Sequence, residues 1–493
     1  MMLLRRPMVA AIIVLLSSAI AVMIISIIQQ LKKVTVPVGL KYGIVFDAGA
    51  SNTTVYVYNW PAEKENNTGV VSEKYKCEGS AISKFDNEPA EAARSIEWCL
   101  NRTIEVIPAE KHNATPLYLG ATAGMRLLQI QNSTAASMIL AVIEGRLHSS
   151  PFDFKSAQII SGKEEGAYGW ITANYLLDNF RQGRTWTQPK RTFTITTKGT
   201  LDLGGASSEI AFVPKRHSHR YESTVITLYN YKYSVYIESL ACYGRDEAKK
   251  IYLAKLIQNS VNKSRIEDPC LPAHYTMKLQ LEEVFESSCI GDKLPENYNA
   301  DVTLIGTGDH TLCRQQILSI FMFTSSYVKG VWTKRLDVLN QLMRGDFVAF
   351  SGFSETMEAL NLTGSFSMDI FLSTVKSFCM KSWNQVQQSL PNMSDSDRSA
   401  QCFNANYIYA LLVRGYKFNH QTWIQISFQK QVEHSNMGWS LGYMLNLTNM
   451  IPAKYSVSQT PMSEFAFSGL LFLFSTLVLV CSIFISLSII RSF

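Results

Sequence analysis

The chain has 493 residues, 47% of them hydrophobic and 17% charged, with a formal net charge of +6 at pH 7. That length suggests two or three domains or lobes. Lysine and arginine are scattered, with no basic stripe interleaved with aromatics, which argues against nucleic acid as a partner.

Residues 1–8 form a short tail, followed by the unbroken apolar stretch Val9 to Ile28. About 20 apolar residues are enough for a helix to cross a bilayer core. A cleaved signal peptide is the alternative. The stretch is longer than the apolar region of such peptides, and bulky Ile, Gln and Lys follow it where small residues would mark cleavage. An uncleaved anchor is therefore predicted. Arg5 and Arg6 precede it and Lys32 and Lys33 follow it, so the charge rule leaves orientation open. Residues 29–41 read as a stalk.

The body opens with an apolar strand, Tyr42–Phe46, then Asp47-Ala48-Gly49-Ala50-Ser51, then a second strand, Thr54–Trp60. Strand, acidic glycine turn, strand is the pattern of a β-hairpin. Pro116–Leu119 is strand-like and leads into a glycine-containing turn through Arg126 and then a helix over about Ala135–Leu147. Ala157–Ile160 reads as another strand, ending at Ser161-Gly162-Lys163-Glu164-Glu165-Gly166, and Tyr168–Phe180 as helix. The opening pattern then recurs. Gly199–Leu203 carries Asp202 and is followed by Gly204-Gly205-Ala206-Ser207-Ser208 and the strand Glu209–Val213. A repeat at this separation suggests two related lobes facing one another, and the alternation of strands with helices indicates an α/β architecture. The lobes are placed at 42–200 and 201–450, with a return toward the first lobe near the end. A second stalk covers 451–464, a second apolar span 465–490, and a tail 491–493.

Nine cysteines are present, and Cys481 falls inside the second apolar span. The other eight (Cys77, Cys99, Cys242, Cys270, Cys289, Cys313, Cys379 and Cys402) form no CxxC pair and no Cys/His cluster, which fits disulfides better than zinc. Asn66, Asn101, Asn113, Asn132, Asn262, Asn361, Asn392 and Asn446 each begin a glycosylation sequon. Together these favour the lumenal or extracellular side for the body, with two membrane helices and both termini then short cytoplasmic tails.

Glycine-rich turns expose N–H groups that bind phosphate oxygens. An Asp beside such a turn repels phosphate but holds a divalent cation, usually through water. Two facing copies, at Asp47 and Asp202, would clamp a metal-bound polyphosphate. Glu165, just ahead of a glycine and a helix, is a candidate general base. The bland alternative is a helix-start acid complementing the dipole, and Glu164 competes for the same role.

These residues resemble the ecto-nucleoside triphosphate diphosphohydrolases, or ecto-apyrases, which carry five conserved regions. The matching segments are Ile44–Thr54 (IVFDAGASNTT), Leu119–Leu127 (LGATAGMRL), Ile160–Tyr175 (ISGKEEGAYGWITANY), Leu201–Ile210 (LDLGGASSEI) with Cys242-Tyr243-Gly244-Arg245 downstream, and Phe347–Leu362 (FVAFSGFSETMEALNL). The late segment Trp439–Asn446 (WSLGYMLN) also fits. The resemblance implies two RNase-H-like lobes of the actin/Hsp70/sugar-kinase superfamily, and hydrolysis of nucleoside tri- and diphosphates to monophosphate with Ca2+ or Mg2+. It implies Glu165 as base, Ser207 as the residue positioning the attacking water, and Asp47 and Asp202 as metal holders through water. Ser51, Asn52, Thr122, Gly204, Gly205 and Ala206 would meet phosphates. Arg245, Phe353, Ser354 and Glu355 would lie at the nucleobase. It also implies the disulfides Cys77–Cys99, Cys242–Cys289, Cys270–Cys313 and Cys379–Cys402.

Several positions depart from the family pattern. Ala50 and Asn52 stand where the first loop normally has Ser and then His or Arg, and Asn52 begins a ninth sequon. Glu209 replaces a Gln beside the attacking water, and Ser354 and Glu355 replace a tyrosine pair. A further cysteine pair expected between Cys313 and the fifth region is absent. Weakened, metal-dependent nucleotidase activity is therefore expected. A catalytically impaired nucleotide-binding ectodomain and an adhesion or receptor ectodomain are the alternatives. Retention of Asp47, Glu165, Asp202 and Ser207 speaks against the first, and the paired acidic loops against the second. Homo-oligomerisation through the membrane helices stays open, although neither has a GxxxG face.

Overall fold

The computed structural model describes residues 6–31, 39–62, 64, 68–180, 197–214, 222–262, 264–290, 301–320, 345–432, 435–451 and 464–490. The chain divides into two compact units, one containing the terminal helices and the other containing residues 40–61 and 65–452.

In the first unit, α1 (Arg6–Leu31) packs against the last helix, Glu464–Ile490. Their apolar spans, Pro7–Ile27 and Phe465–Ile490, are 21 and 26 residues long. At 1.5 Å per residue the shorter reaches about 30 Å, the thickness of a bilayer core.

The second unit begins with β1 (Leu40–Ala48), β2 (Asn52–Pro61), β3 (Ser72–Ser80), α2 (Pro89–Val106), β4 (Pro116–Ala121), α3 (Ala123–Gln131), α4 (Ser133–His148) and β5 (Asp153–Ile159). The five strands form one sheet in the order β3-β2-β1-β4-β5. The helix α5 (Gly162–Leu176) follows. A second sheet is built from β6 (Gly199–Leu203), β7 (Ser207–Phe212), β8 (Thr224–Leu228) and β9 (Tyr231–Ala241), and from two later strands. Between them come α6 (Arg245–Asn259), a small sheet of β10 (Arg265–Asp268), β11 (Thr276–Gln280) and β12 (Asp301–Gly306), and the helices α7 (Leu281–Phe285) and α8 (His310–Ile320). Then come β13 (Phe347–Ser351), α9 (Gly352–Ala359), α10 (Met368–Cys379), α11 (Trp383–Ser389), α12 (Asp395–Ala410) and β14 (Ile426–Phe428). A two-stranded ribbon, β15 (Gln431–Val432) and β16 (Ser435–Asn436), precedes α13 (Trp439–Thr448).

The second sheet runs β14-β13-β6-β7-β9-β8. Read from β9 to β14, it repeats the first sheet strand for strand. In each, an antiparallel hairpin (β1/β2, β6/β7) is flanked by a parallel neighbour (β4, β13) that leads into a helix (α3, α9). The internal repeat legible in the sequence is thus a repeat of topology.

The strands carrying the acidic residues are buried on both faces. On β1, Ile44 and Phe46 pack with Ile96 and Leu100 of α2 and Ile143 of α4. Val45, on the opposite face, joins Trp170 and Ile171 of α5 and Trp439 and Met444 of α13. On β7, Ile210 and Phe212 enter the core of the second sheet, while Ala211 turns to the same α5–α13 cluster. Strands covered on both sides read as continuous apolar runs, as these do. The helices α5 and α13 therefore form a shared layer. α13 reaches it from the end of the chain, and Gly442 makes the close crossing possible. A Cβ on Gly442 would lie 1.9 Å from the Tyr168 carbonyl oxygen, and its N–H donates to Thr172 Oγ1 at 2.8 Å.

The four disulfides are Cys77–Cys99, Cys242–Cys289, Cys270–Cys313 and Cys379–Cys402, as the resemblance implies. Cys481 is free. Among the sequons, Asn101, Asn113, Asn132, Asn262, Asn361 and Asn392 are exposed, Asn446 is half-buried on α13, and Asn66 lies outside the described residues.

Gly442→Ala forces backbone apart at the α5–α13 crossing. It is expected to cost about 1–3 kcal/mol, the usual range for overpacking, seen as a lower thermal midpoint. An unchanged midpoint would contradict the close crossing.

Candidate active site

The site grows from the two hairpin turns. Asp47, near the end of β1, pairs with Thr54 across the first hairpin and with Gly120 on β4. Asp202 on β6 pairs with Glu209 across the second hairpin and with Phe350 on β13. The two acids occupy equivalent places in equivalent sheets, and both face one cleft of about 280 Å3. The turns nearly touch there. A Cβ on Gly205 would lie 2.5 Å from Ser51 Oγ and 3.3 Å from the Ala50 Cβ, so only glycine fits.

Among the described residues, the N–H groups of Gly49, Ala50, Ser51, Gly205 and Ala206 make no backbone hydrogen bond. They border the cleft and form the array of donors expected of a phosphate site. Gly204 differs, because its N–H donates to Ser207 O at 3.0 Å and closes the hairpin. Thr122 is buried at the cleft wall, its N–H donating to Ala48 O. The Ser51 hydroxyl donates to Asp246 Oδ2 at 2.7 Å and so ties the first hairpin to α6. Asn52 is exposed at the rim.

Glu164 and Glu165 separate cleanly. Ser161 at the N-cap of α5 donates both its N–H and its hydroxyl to Glu164 Oε2, each at 2.8 Å, and Glu164 N–H donates back to Ser161 Oγ. Glu164 is thus spent on a capping box. Glu165, rotated about 100° further round the helix, turns inward at 7% exposure and receives Arg126 Nη1 at 2.9 Å.

Ser207 and Glu209 form a pair. The Ser207 hydroxyl donates to Glu209 Oε1 at 2.5 Å and accepts from Arg126 Nη2 at 3.2 Å. Ser239 Oγ on β9 donates to the same Glu209 oxygen at 2.8 Å. Glu209 is 2% exposed, and its Oε2 has no hydrogen-bond partner among the described residues. Burial, reinforced by repulsion from Glu165 and Asp202, pushes its carboxyl well above the usual range, against the smaller pull of Arg126 and Ser207.

The same physics acts on the two aspartates. Burial, then repulsion from Glu165 and Asp202, raises Asp47 to about 8, opposed by Trp439 and Lys76. The Trp439 indole N–H lies near Asp47 without completing a hydrogen bond. Asp202 rises to about 7 through burial, then Glu165 and Glu355, opposed by the Ser351 side chain and Leu203 N–H. Ser351 sits at φ 53°, ψ −132°, a conformation L-residues rarely adopt. Such strain costs about 1–3 kcal/mol and persists where surrounding structure enforces it.

At the far wall, Arg245 Nη1 and Glu355 Oε2 are 3.0 Å apart and both line the cleft. Two of the nucleobase candidates do not reach it. Phe353 is fully buried in the core of the second sheet, and Ser354 is buried with its hydroxyl donating to Ser351 O. The reason is helical rotation. α9 starts at Gly352, and residues three apart share a face, so Gly352 and Glu355 face the cleft while 353 and 354 turn inward. Sequence reasoning also missed Arg126, Trp439, Ser351 and Asp246. Arg126, Ser351 and Trp439 lie inside the segments that resemble the family, so position in a motif was the available signal. Asp246 is brought in by the approach of α6.

The model of the GDA1/CD39 (nucleoside phosphatase) family matches residues 34–460. Ectonucleoside triphosphate diphosphohydrolase 3 of Homo sapiens is 46% identical over 489 residues, covering 98% of this chain and 92% of its own length. Ectonucleoside triphosphate diphosphohydrolase 8 of Gallus gallus is 41% identical over 432 residues, 86% of each chain. Among solved structures, nucleoside triphosphate hydrolases from Neospora caninum match with a TM-score of 0.60 at 14% identity, over 88% of this chain and 95% of that one. That match shows the shared fold.

Because Asp47 and Asp202 are raised in the folded state, the folded chain retains protons that the unfolded chain releases above about pH 4. The cation-free protein is thus expected to lose stability as pH rises from about 4 toward 8. A divalent cation that binds the ionised pair should raise the thermal midpoint more at pH 8 than at pH 5. A cation effect that is absent, or equal at both pH values, would contradict a cation held by these aspartates.

Proposed function

The chain belongs to the GDA1/CD39 (nucleoside phosphatase) family, and we propose that it hydrolyses nucleoside tri- and diphosphates to monophosphate and phosphate in the cleft between its two acidic hairpins. The observation that carries this reading is the buried Glu165 carboxylate, fixed by Arg126 beside Ser207 and two glycine turns with free N–H groups.

The N–H groups of both turns, with Thr122, hold the phosphate oxygens. Ser207 holds the attacking water, and Glu165 accepts its proton as the water oxygen bonds to the terminal phosphorus. The P–O bond to the remaining nucleotide breaks, and its electron pair stays on the departing phosphate oxygen. A positioned general base of this kind contributes about 10²–10⁴-fold.

Asp47 and Asp202 fit a divalent cation, Ca2+ or Mg2+. Both face the cleft, and neither forms an ion pair among the described residues. Among those residues no group of three His, Cys, Asp or Glu is close enough to ligate an ion directly, so the aspartates hold it through water. The bound cation would neutralise phosphate charge.

The disulfides, the exposed sequons and the two terminal apolar helices support an extracellular body in the plasma membrane with both termini in the cytoplasm. The two matching sheets are the cores of lobes 42–200 and 201–450, with α13 returning between them. Turnover is weakened by Ala50 and Asn52 in the first loop and by Ser354 and Glu355, which leave no aromatic pair to stack on the base. Arg245 and Glu355 then face the base edge instead.

Phosphate release from ATP, ADP, UTP and UDP tests the reading. Glu165→Ala should lower turnover by about 10²–10⁴-fold; full activity would sink the mechanism. Glu209→Gln is expected to raise turnover, because it removes a carboxyl that would repel phosphate. A fall would instead give Glu209 a catalytic task of its own.

A further inference from the structure

The guanidinium of Arg126 sits behind the cleft, its side chain 19% exposed. Nη1 donates to Glu165 Oε2 at 2.9 Å and to Ile160 O at 3.0 Å. Nη2 donates to Ser207 Oγ at 3.2 Å and lies 3.7 Å from Glu209 Oε1. One branch therefore engages the residues around the start of α5, and the other the first residues of β7 in the second sheet. The residue itself stands on α3, which follows β4 of the first sheet. Three separately built parts of the chain meet on one planar group.

That planarity matters. A guanidinium presents its donors in a rigid fork, whereas an ammonium is a rotatable point charge. Fixing one branch on Glu165 fixes the direction of the other, and so the distance between the Glu165 carboxylate and the Ser207 hydroxyl. Those are the two groups that must agree on the position of one water, and a misplacement of about 1 Å costs about 10²-fold. A bond to Glu165 alone would only pair a buried charge; the second branch also approaches Glu209, but its hydrogen bond goes to the neutral Ser207 hydroxyl.

We propose that Arg126 is a positioning residue for the hydrolysis, its fork locking the Glu165 carboxylate and the Ser207 hydroxyl at a fixed separation across the two sheets. This rests on the assignment of Glu165 as base. Arg126 lies outside the cleft lining, so it acts through Glu165 and Ser207 and does not touch substrate.

The test compares Arg126→Gln, Arg126→Lys, Glu165→Gln and the Arg126→Gln/Glu165→Gln double variant in the full-length chain, with phosphate release from magnesium ATP as readout. Arg126→Gln should lower kcat about 10²-fold with KM changed less than about threefold. Arg126→Lys should recover part of that loss, because it keeps charge at one branch only. In the Glu165→Gln background, removing Arg126 should cost less than about threefold more, since its partner is already disabled. Unchanged kcat in Arg126→Gln, or losses that multiply in the double variant, would overturn the proposal. If Arg126→Gln fails to fold, Arg126→Lys decides: reduced kcat with KM kept supports it, and full activity overturns it. Full turnover by Glu165→Gln would bring down the assignment of the base itself, whereas an inactive Glu165→Gln beside a fully active Arg126→Gln brings down the role of Arg126 alone.

Discussion

Three carboxyl groups, Asp47, Glu165 and Asp202, line one cleft, and a fourth, Glu209, lies buried behind it. Like charges brought together away from water repel strongly, and the rest of the site is arranged around that repulsion. Glu165 is matched by Arg126. Glu209 accepts from two serine hydroxyls, and burial with repulsion from Glu165 and Asp202 raises its carboxyl above the usual range. Asp47 and Asp202 form no ion pair among the described residues, and the pull of Trp439 and Lys76 on one and of Ser351 and Leu203 N–H on the other does not offset burial and repulsion. A cation held by this pair, as proposed above, would offset that repulsion.

The fold makes this convergence possible by using one topology twice. Each sheet delivers an aspartate at the end of a strand, next to a hairpin turn of small residues. Facing the two hairpins brings two three-residue turns, 49–51 and 204–206, into one place. The shared layer of α5 and α13 then sets the spacing. α5 supplies Glu165 at its first turn, and α13 supplies Trp439 at its own start, near Asp47. Close approach at Gly442 and Gly205 explains why small residues sit at those positions.

The departures from the family pattern have unequal consequences. Glu209 is accommodated under the hydroxyls of Ser207 and Ser239, which both donate to its Oε1. Ala50 leaves one hydroxyl fewer, and the remaining one, on Ser51, is drawn to Asp246. The loss of the tyrosine pair replaces an aromatic surface by an Arg245–Glu355 ion pair. A half-exposed pair of that kind adds little stability.

Much of this was legible in the sequence. Apolar runs ending in Asp and glycine marked both hairpins, since a tight turn between strands needs those residues. The recurrence of that pattern marked the two lobes, the cysteine set marked the disulfides, and two long apolar runs marked the terminal helices. What the sequence left open was decided by rotation and approach. Glu164 and Glu165 are adjacent and chemically alike, and only a capping serine and the turn of a helix sent one outward and the other to the cleft. Phe353 and Ser354 were turned into the core for the same geometric reason. Arg126 became central because α3, α5 and β7 converge on it, a meeting of segments up to 81 residues apart. Local pattern determines which elements form; which side chain meets which is set by packing between elements, and a linear sequence does not record it.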